Sequence, residues 1–266
     1  MRRVIALEGG RNFRDLGGYA AGENQQVRWG RLYRSGSLSN LTASDHAALR
    51  SRGIRVLCDF RTRREREREV VDWNGNGRML LAWDYDPRLV SVRALLAGAG
   101  VSIQSDLSPQ VARLAMIELY RRLPTGLAEP YAALFERLAA DDLPLVFACA
   151  AGKDRTGVAA ALILSCLGVP WDVIVEDFTL TNQVVDLDQV LFRHPRRSVG
   201  LEDEHGQLAR VDRETRAPFL EASPEYLAAA FAQIRQDHGS IEEYLRARLG
   251  VDRAKSARIR EHLLEA

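Results

Sequence analysis

Leu143-Pro144-Leu145-Val146-Phe147-Ala148 runs into Cys149-Ala150-Ala151-Gly152-Lys153-Asp154-Arg155-Thr156-Gly157, and that into the apolar stretch Val158 to Leu167. The first segment is short and apolar, as a buried strand is, and the third reads as a buried helix. A strand, a tight loop and a helix in that order aim the amides of the helix's first turn, and the positive end of its dipole, at the centre of the loop. An anion belongs there. The same field favours thiolate over thiol, so Cys149 at the start of the loop is expected to be nucleophilic. Arg155 supplies a planar fork able to hold two oxygens of a phosphate. Thr156 adds a hydroxyl close to the sulfur. Gly152 lets the backbone turn so that successive N–H groups, those of Ala150 and Ala151 among them, converge on one point.

A lone cysteine at a strand end is usually a small buried apolar residue. Here Gly152, Arg155, Thr156 and Gly157 stand at matching offsets, and the segment resembles the signature loop of cysteine-dependent phosphatases. Cys58 and Cys166 sit inside apolar strand and helix patterns and read as core. Two other phosphate loops fail by inspection. A nucleotide-binding Walker loop needs Ser or Thr directly after Lys153, where Asp154 stands, and a dinucleotide fingerprint needs differently spaced glycines.

Outward from the loop, helices and strands alternate, which predicts an α/β layer structure. Val27 to Tyr33 reads as a strand entering the loop Arg34-Ser35-Gly36. Thr42-Ala43-Ser44-Asp45 resembles a capping box opening a helix that Gly53 ends, and Ile54 to Asp59 reads as a buried strand. Arg61 to Glu69 is a dense run of mixed charge, read as the solvated start of a helix without chemistry; Arg61, directly after the strand, is the exception. Met79 to Tyr85 is a further strand. Pro87 to Gly126 holds two apolar stretches separated by Gly98, Gly100 and Pro109, expected to be an inserted pair of helices. Pro130 to Ala140 and Pro170 to Phe192 read as helical, and Ser223-Pro224-Glu225 and Ser240-Ile241-Glu242-Glu243 open two C-terminal helices. In the polar stretch from Arg193 to Arg216, the Arg196-Arg197 pair could meet an anionic substrate, with a solvated loop the plainer reading.

Composition narrows the class. With 37 basic and 36 acidic residues the net charge is +1, so nothing global draws the chain to nucleic acid or a membrane surface. Three scattered cysteines indicate neither a disulfide framework nor a structural metal, and suit a reducing compartment. No stretch is long enough to span a bilayer, and the run Val4 to Leu7 is too short for a signal peptide's core. The cytoplasm is the default location, export without a signal being the alternative. One large domain, residues 1–266, is expected.

The resemblance becomes specific when the motifs are taken in order. Asn12-Phe13-Arg14-Asp15-Leu16-Gly17-Gly18, Tyr33-Arg34-Ser35-Gly36, Asp59-Phe60-Arg61, Ala151-Gly152-Lys153-Asp154-Arg155-Thr156-Gly157 and Tyr244-Leu245-Arg246 through Leu249-Gly250 occur in the order found in the atypical bacterial protein tyrosine phosphatases. That family includes mycobacterial phosphatase B and a lipid phosphatase of Listeria. The resemblance implies a phosphatase α/β fold with a central, mostly parallel sheet flanked by helices, a helical lid over the site formed by residues 87–126, and no metal or other cofactor. Its implied substrates are phosphorylated proteins or phosphoinositides.

Many cysteine phosphatases carry an aspartate acid some thirty residues before the nucleophile, but Leu107 to Ala140 contains no aspartate. The resemblance assigns acid and base duties to Asp154, and a carboxyl there can reach the leaving oxygen or an attacking water. Its bland alternative is a structural residue pairing with Lys153. Asp59, at a strand end near the catalytic strand, is the fallback acid, and Asp59 and Arg61 are candidates for substrate contact. Lys153 adds a positive charge suited to a highly anionic substrate, or simply faces water. One departure stands out: Ala148 replaces the histidine that family members usually carry before the nucleophile, and the loop is expected to be less well braced for it. The reading is a metal-independent phosphomonoesterase of the tyrosine phosphatase type, with Cys149, Asp154 and Arg155 catalytic. The alternatives are a phosphoinositide or inositol phosphate phosphatase using the same residues, and a pseudophosphatase that binds phosphorylated partners without turnover.

Overall fold

The computed structural model describes residues 2–22, 24–73, 77–103, 105–192, 208 and 210–266. Within them the strands are β1 (Arg14–Asp15), β2 (Gln26–Val27), β3 (Leu32–Ser35), β4 (Val56–Asp59), β5 (Met79–Ala82), β6 (Leu145–Ala148) and β7 (Leu264–Glu265). The main sheet has the order β1-β3-β6-β4-β5, with β1 antiparallel to β3 and the other neighbours parallel. This is the mostly parallel sheet expected of the phosphatase fold.

Strand β6 lies at the centre and is buried along its length. Leu145 and Phe147 enter the larger core, while Val146 and Ala148 enter a smaller one formed with Phe13, Tyr33, Leu57 and Trp73. This two-sided burial explains why the strand reads as a continuous apolar run rather than an alternating one. Ser35 of β3 and Asp59 of β4 both lie opposite Ala148, and Ala82 lies opposite Asp59. Four strands therefore end together, and the segments that follow them meet at one edge of the sheet. In open parallel sheets that edge is where ligands bind.

The helices are α1 (Ala43–Ser51), α2 (Arg63–Arg68), α3 (Val92–Gly98), α4 (Pro109–Gly126), α5 (Ala128–Ala139), α6 (Asp154–Leu167), α7 (Trp171–Thr179), α8 (Thr181–Val184), α9 (Leu187–Phe192), α10 (Arg213–Leu220), α11 (Pro224–His238), α12 (Ile241–Leu249) and α13 (Arg253–Leu263). Thr42 closes the anticipated capping box with Asp45 on α1. Helix α6 is apolar on nearly every side, with ten buried residues from Thr156 to Leu167, as expected of a helix at the centre of a core.

Two readings are corrected. Val27 to Tyr33 is not one strand: a turn at Gly30, with φ of 75°, separates β2, which pairs with the C-terminal β7, from β3 in the main sheet. The polar stretch from Arg193 to Arg216 contains the start of a helix, α10, capped by Asp212 through the Thr215 amide. Arg196 and Arg197 lie outside the described residues.

Candidate active site

Cys149 follows the last residue of β6, and the loop it opens turns back under the end of β3. Gly152 has φ of +70°, and a Cβ on it would come within 2.5 Å of the Gly36 nitrogen. Only glycine meets both conditions. Among the described residues, no acceptor takes the amide N–H groups of Ala150 to Arg155. They are followed by the first turn of α6, whose dipole adds to their field. A row of unspent donors beside a nearly buried thiol is an anion cradle.

Beneath the cradle is a polar layer buried from water. Asn12 donates through Nδ2 to the carbonyls of Ala151 (3.2 Å) and Gly152 (3.0 Å), and Arg34 donates to Gly152 O at 2.8 Å. Arg34 and Arg14 share a single carboxylate, Asp177 of α7, at 2.5 and 3.0 Å. Burial, then the neighbouring Arg14 charge, pulls Arg34 down to about 10, with Asp177 opposing; it still carries its charge at neutral pH. Burial would raise Asp177, but the two guanidiniums outweigh it and hold the carboxyl well below the usual range. Two cations against one anion leave this layer net positive directly under the anion site. Ala148 sits in the smaller apolar core, and Asn12 and Arg34 hold the loop carbonyls of Ala151 and Gly152. Both lie in the early motifs on which the resemblance rests, but their sequence carries no sign of this contact.

Arg155 lies over the loop with its guanidinium fixed by the segments after β4 and β5. Its two terminal nitrogens grip the Glu65 carboxylate at 2.6 and 2.7 Å, and Nη1 also meets Phe60 O (3.0 Å) and Tyr85 Oη (3.2 Å). Burial alone would lower the Arg155 value, but Glu65 outweighs it and keeps the cation charged. Burial likewise opposes ionisation of Glu65, yet Arg155 and the Thr62 amide hold it down at about 2. The mixed-charge run Arg61 to Glu69 is therefore not wholly solvated, because Glu65 holds the Arg155 guanidinium. Its signal in the sequence was only the Thr62–Glu65 capping box, formed as in α1.

Asp154, the first residue of α6, accepts from Tyr120 Oη at 2.7 Å through Oδ1, with Lys153 Nζ 3.3 Å from the same oxygen. Lys153 neither faces water nor lines the cavity. It is 1% exposed, and its ammonium donates to Phe219 O (2.6 Å) and Glu221 O (3.2 Å) at the end of α10. Thr156 Oγ1 is buried with no hydrogen-bond partner among the described residues. Asp59 and Arg61 form a buried pair: Arg61 Nε and Nη2 take both Asp59 oxygens, and Nη1 reaches Ser37 Oγ and Glu69 O. Neither lies on the cavity wall. In the chain they flank Phe60, whose carbonyl accepts from Arg155.

The cavity measures about 340 Å³, and its wall includes Cys149, Ala150, Ala151, Asp154 and Arg155. Pro87, Arg88 and residues 90–93, Met116 and Leu119 of α4, and Leu208 and Phe219 close it from the other side, with Arg64, Arg68, Arg88 and Arg93 adding positive charge. Among the described residues no cluster of His, Cys, Asp or Glu could hold a metal ion, and no helix is long and apolar enough to cross a membrane.

The profile of the Tyrosine phosphatase family matches residues 5–265. The chain belongs to that family. It is 34% identical over 288 residues to the triple specificity protein phosphatase PtpB of Mycobacterium tuberculosis, spanning 98% of this chain and 99% of that one. A Cupriavidus necator protein, named provisionally for tyrosine-protein phosphatase activity, is 33% identical over 267 residues, 99% of this chain and 89% of that protein. A tyrosine-protein phosphatase of Nostoc commune is 28% identical over 238 residues, 88% of this chain and 74% of that one. The phosphatase described here is thus a hydrolase of the tyrosine phosphatase type acting on phosphorylated substrates, and these likenesses do not favour the phosphoinositide alternative.

Proposed function

We propose that this phosphatase removes phosphate from tyrosine side chains of proteins through a phosphocysteine on Cys149. The observation that carries the reading is that Cys149, Asp154 and Arg155 line one cavity. The Cys149 thiolate attacks phosphorus, an S–P bond forms as the P–O bond to the phenol breaks, and the Asp154 carboxyl gives its proton to the leaving oxygen. Water then attacks the phosphocysteine, Asp154 takes a proton from it, and the sulfur leaves with the S–P electron pair. The amides of Ala150, Ala151, Gly152 and Lys153 and the Arg155 guanidinium bind the phosphoryl oxygens, a preorganised donor set that needs no rearrangement as charge develops. Thr156 has an unspent hydroxyl for the sulfur. Asp59 and Arg61, flanking Phe60, support the clamp. The insertion at 87–126 serves as the lid, screening the phosphoenzyme from stray water. The wall arginines suit acidic residues around the phosphorylated side chain. Three free cysteines are in keeping with a cytoplasmic location.

The test is a panel of phosphotyrosine, phosphothreonine and phosphoinositide substrates assayed with EDTA, beside Cys149→Ser and Asp154→Asn. Phosphotyrosine peptides should be turned over fastest and EDTA should change nothing. Turnover retained by Cys149→Ser would end the phosphocysteine mechanism, and wild-type rates in Asp154→Asn would move the acid elsewhere.

A further inference from the structure

The carboxyl group of Asp154 is held unsymmetrically. Both of its close partners, Tyr120 Oη at 2.7 Å and Lys153 Nζ at 3.3 Å, approach Oδ1. The other oxygen, Oδ2, has no partner among the described residues, on a side chain that is 26% exposed and lines the cavity. A carboxylic acid with one oxygen accepting from a hydroxyl and a nearby cation carries its proton on the other. The hydroxyl that fixes Oδ1 is a dependable donor. Burial first, and then the Asp154 charge, raise the Tyr120 phenol well above its usual value, so it stays protonated.

The two partners also tie Asp154 to the elements that close the cavity. Tyr120 stands on α4, one residue after Leu119 of the cavity wall, and its ring packs against Phe178 and Tyr226 at centroid distances of 5.9 and 5.6 Å. Lys153 is anchored to Phe219 O and Glu221 O, and Phe219 is itself part of the wall. The chain beyond is pinned again where Asn182 exchanges two hydrogen bonds with Ala222. Two cover elements are therefore tied to the same oxygen of the same side chain, α4 directly through Tyr120 and the end of α10 through Lys153.

We propose that Tyr120 and Lys153 are positioning residues for proton transfer: they hold Oδ1 of Asp154 so that Oδ2 carries the proton to the leaving oxygen, and so make the acid dependent on a seated cover. The proposal rests on the reading of Asp154 as the acid. Lys153 acts in it as a tie between loop and cover, with its charge spent on α10 rather than on substrate.

An acid matters most when the leaving group is poor, which separates positioning from mere structure. The experiment measures kcat/KM for 2,4-dinitrophenyl, p-nitrophenyl and phenyl phosphate in wild type, Tyr120→Phe, Lys153→Met, Asp154→Asn and the Tyr120→Phe/Asp154→Asn double variant. Tyr120→Phe keeps the ring and removes only the donor. It should lose roughly tenfold on phenyl phosphate, part of the factor a general acid supplies, and little on the dinitrophenyl ester. Lys153→Met should show the same pattern. In the Asp154→Asn background Tyr120→Phe should cost nothing further. An equal loss by Tyr120→Phe on all three esters, as from damaged folding, or no loss at all, would overturn the proposal while leaving Asp154 as the acid, provided Asp154→Asn keeps its dependence on the leaving group. If Asp154→Asn lacks that dependence, the assignment of the acid fails first and the proposal goes with it.

Discussion

The layer below the phosphate loop and the wall above it are built on opposite plans. Below, Asn12, Arg14, Arg34 and Asp177 are charged or polar, buried, and bonded mainly to one another and to loop carbonyls. Above, Met116, Leu119, Leu208 and Phe219 are mostly apolar, and the ties to the loop run through single side chains such as Tyr120 and Lys153. A network of buried charge is costly to disturb because any member removed leaves the rest unpaired in a poor solvent. A wall of apolar side chains can be altered locally, whereas on the proposed mechanism the loss of its polar contacts with Asp154 slows the reaction. The floor is therefore expected to answer to substitution in stability, and the wall in rate.

Cys149→Ser stands where the two regions meet and should give the largest effect. Serine leaves the buried floor untouched but is a far weaker nucleophile, so turnover of an aryl phosphate should fall on the order of 10⁴-fold or more. The urea midpoint should hardly move, and phosphate should still bind to the amides and Arg155. A large drop in the midpoint would mean that floor and reaction centre are not separable in this way.

Asp177→Ala tests the floor. It strands two buried guanidiniums and is expected to destabilise the fold by about 3–5 kcal/mol, read as a lower urea midpoint. Because the folded carboxyl lies well below the usual range, its contribution is complete above the usual aspartate value of about 3.9. It is lost as pH falls through the folded value. Wild type should accordingly lose stability in acid more steeply than the variant.

What was legible in the sequence follows the same division. Cys149 and Arg155, the proposed nucleophile and clamp, the turning glycine and the helix behind them are neighbours in the chain, and local spacing exposes them. The capping box of α1 and the helices between residues 87 and 126 are equally local. The floor was visible only as motifs without roles, since Arg14, Arg34 and Asp177 meet through the order of the strands and the packing of α7. Lys153 was misjudged for a related reason. Its position beside Asp154 suggested a charge for substrate or for water, whereas the return of the chain at Phe219 and Glu221 supplies carbonyls that bury it.

Glu65→Gln tests the wall through the clamp. Without the carboxylate, the Arg155 fork loses the two contacts that fix its plane, and a misplacement of about 1 Å can cost up to about 10²-fold. A fall of roughly 10–100-fold in kcat/KM for a phosphotyrosine peptide is expected, with a smaller change in the urea midpoint than Asp177→Ala gives. The pH dependence has a definite sign. Glu65 is held at about 2 when folded, against a usual value of about 4.3, so its stabilisation is present above that usual value and disappears as pH falls toward 2. The variant should lack that part of the acid slope.

Glu67→Gln is the smallest effect and the sharpest control. In Arg63-Arg64-Glu65-Arg66-Glu67-Arg68 the two glutamates are indistinguishable by composition or by charged neighbours. Two positions along a helix swing a side chain most of the way to the opposite face, however, and Glu67 pairs with Arg63 in solvent while Glu65 turns to Arg155. Exposed pairs of this kind are screened and contribute little. Neither kcat/KM nor the urea midpoint should change measurably in Glu67→Gln. If it slowed the enzyme as much as Glu65→Gln, the loss would come from the charge of the whole helix acting on an anionic substrate, and the bidentate contact with Arg155 would not be what sets the clamp.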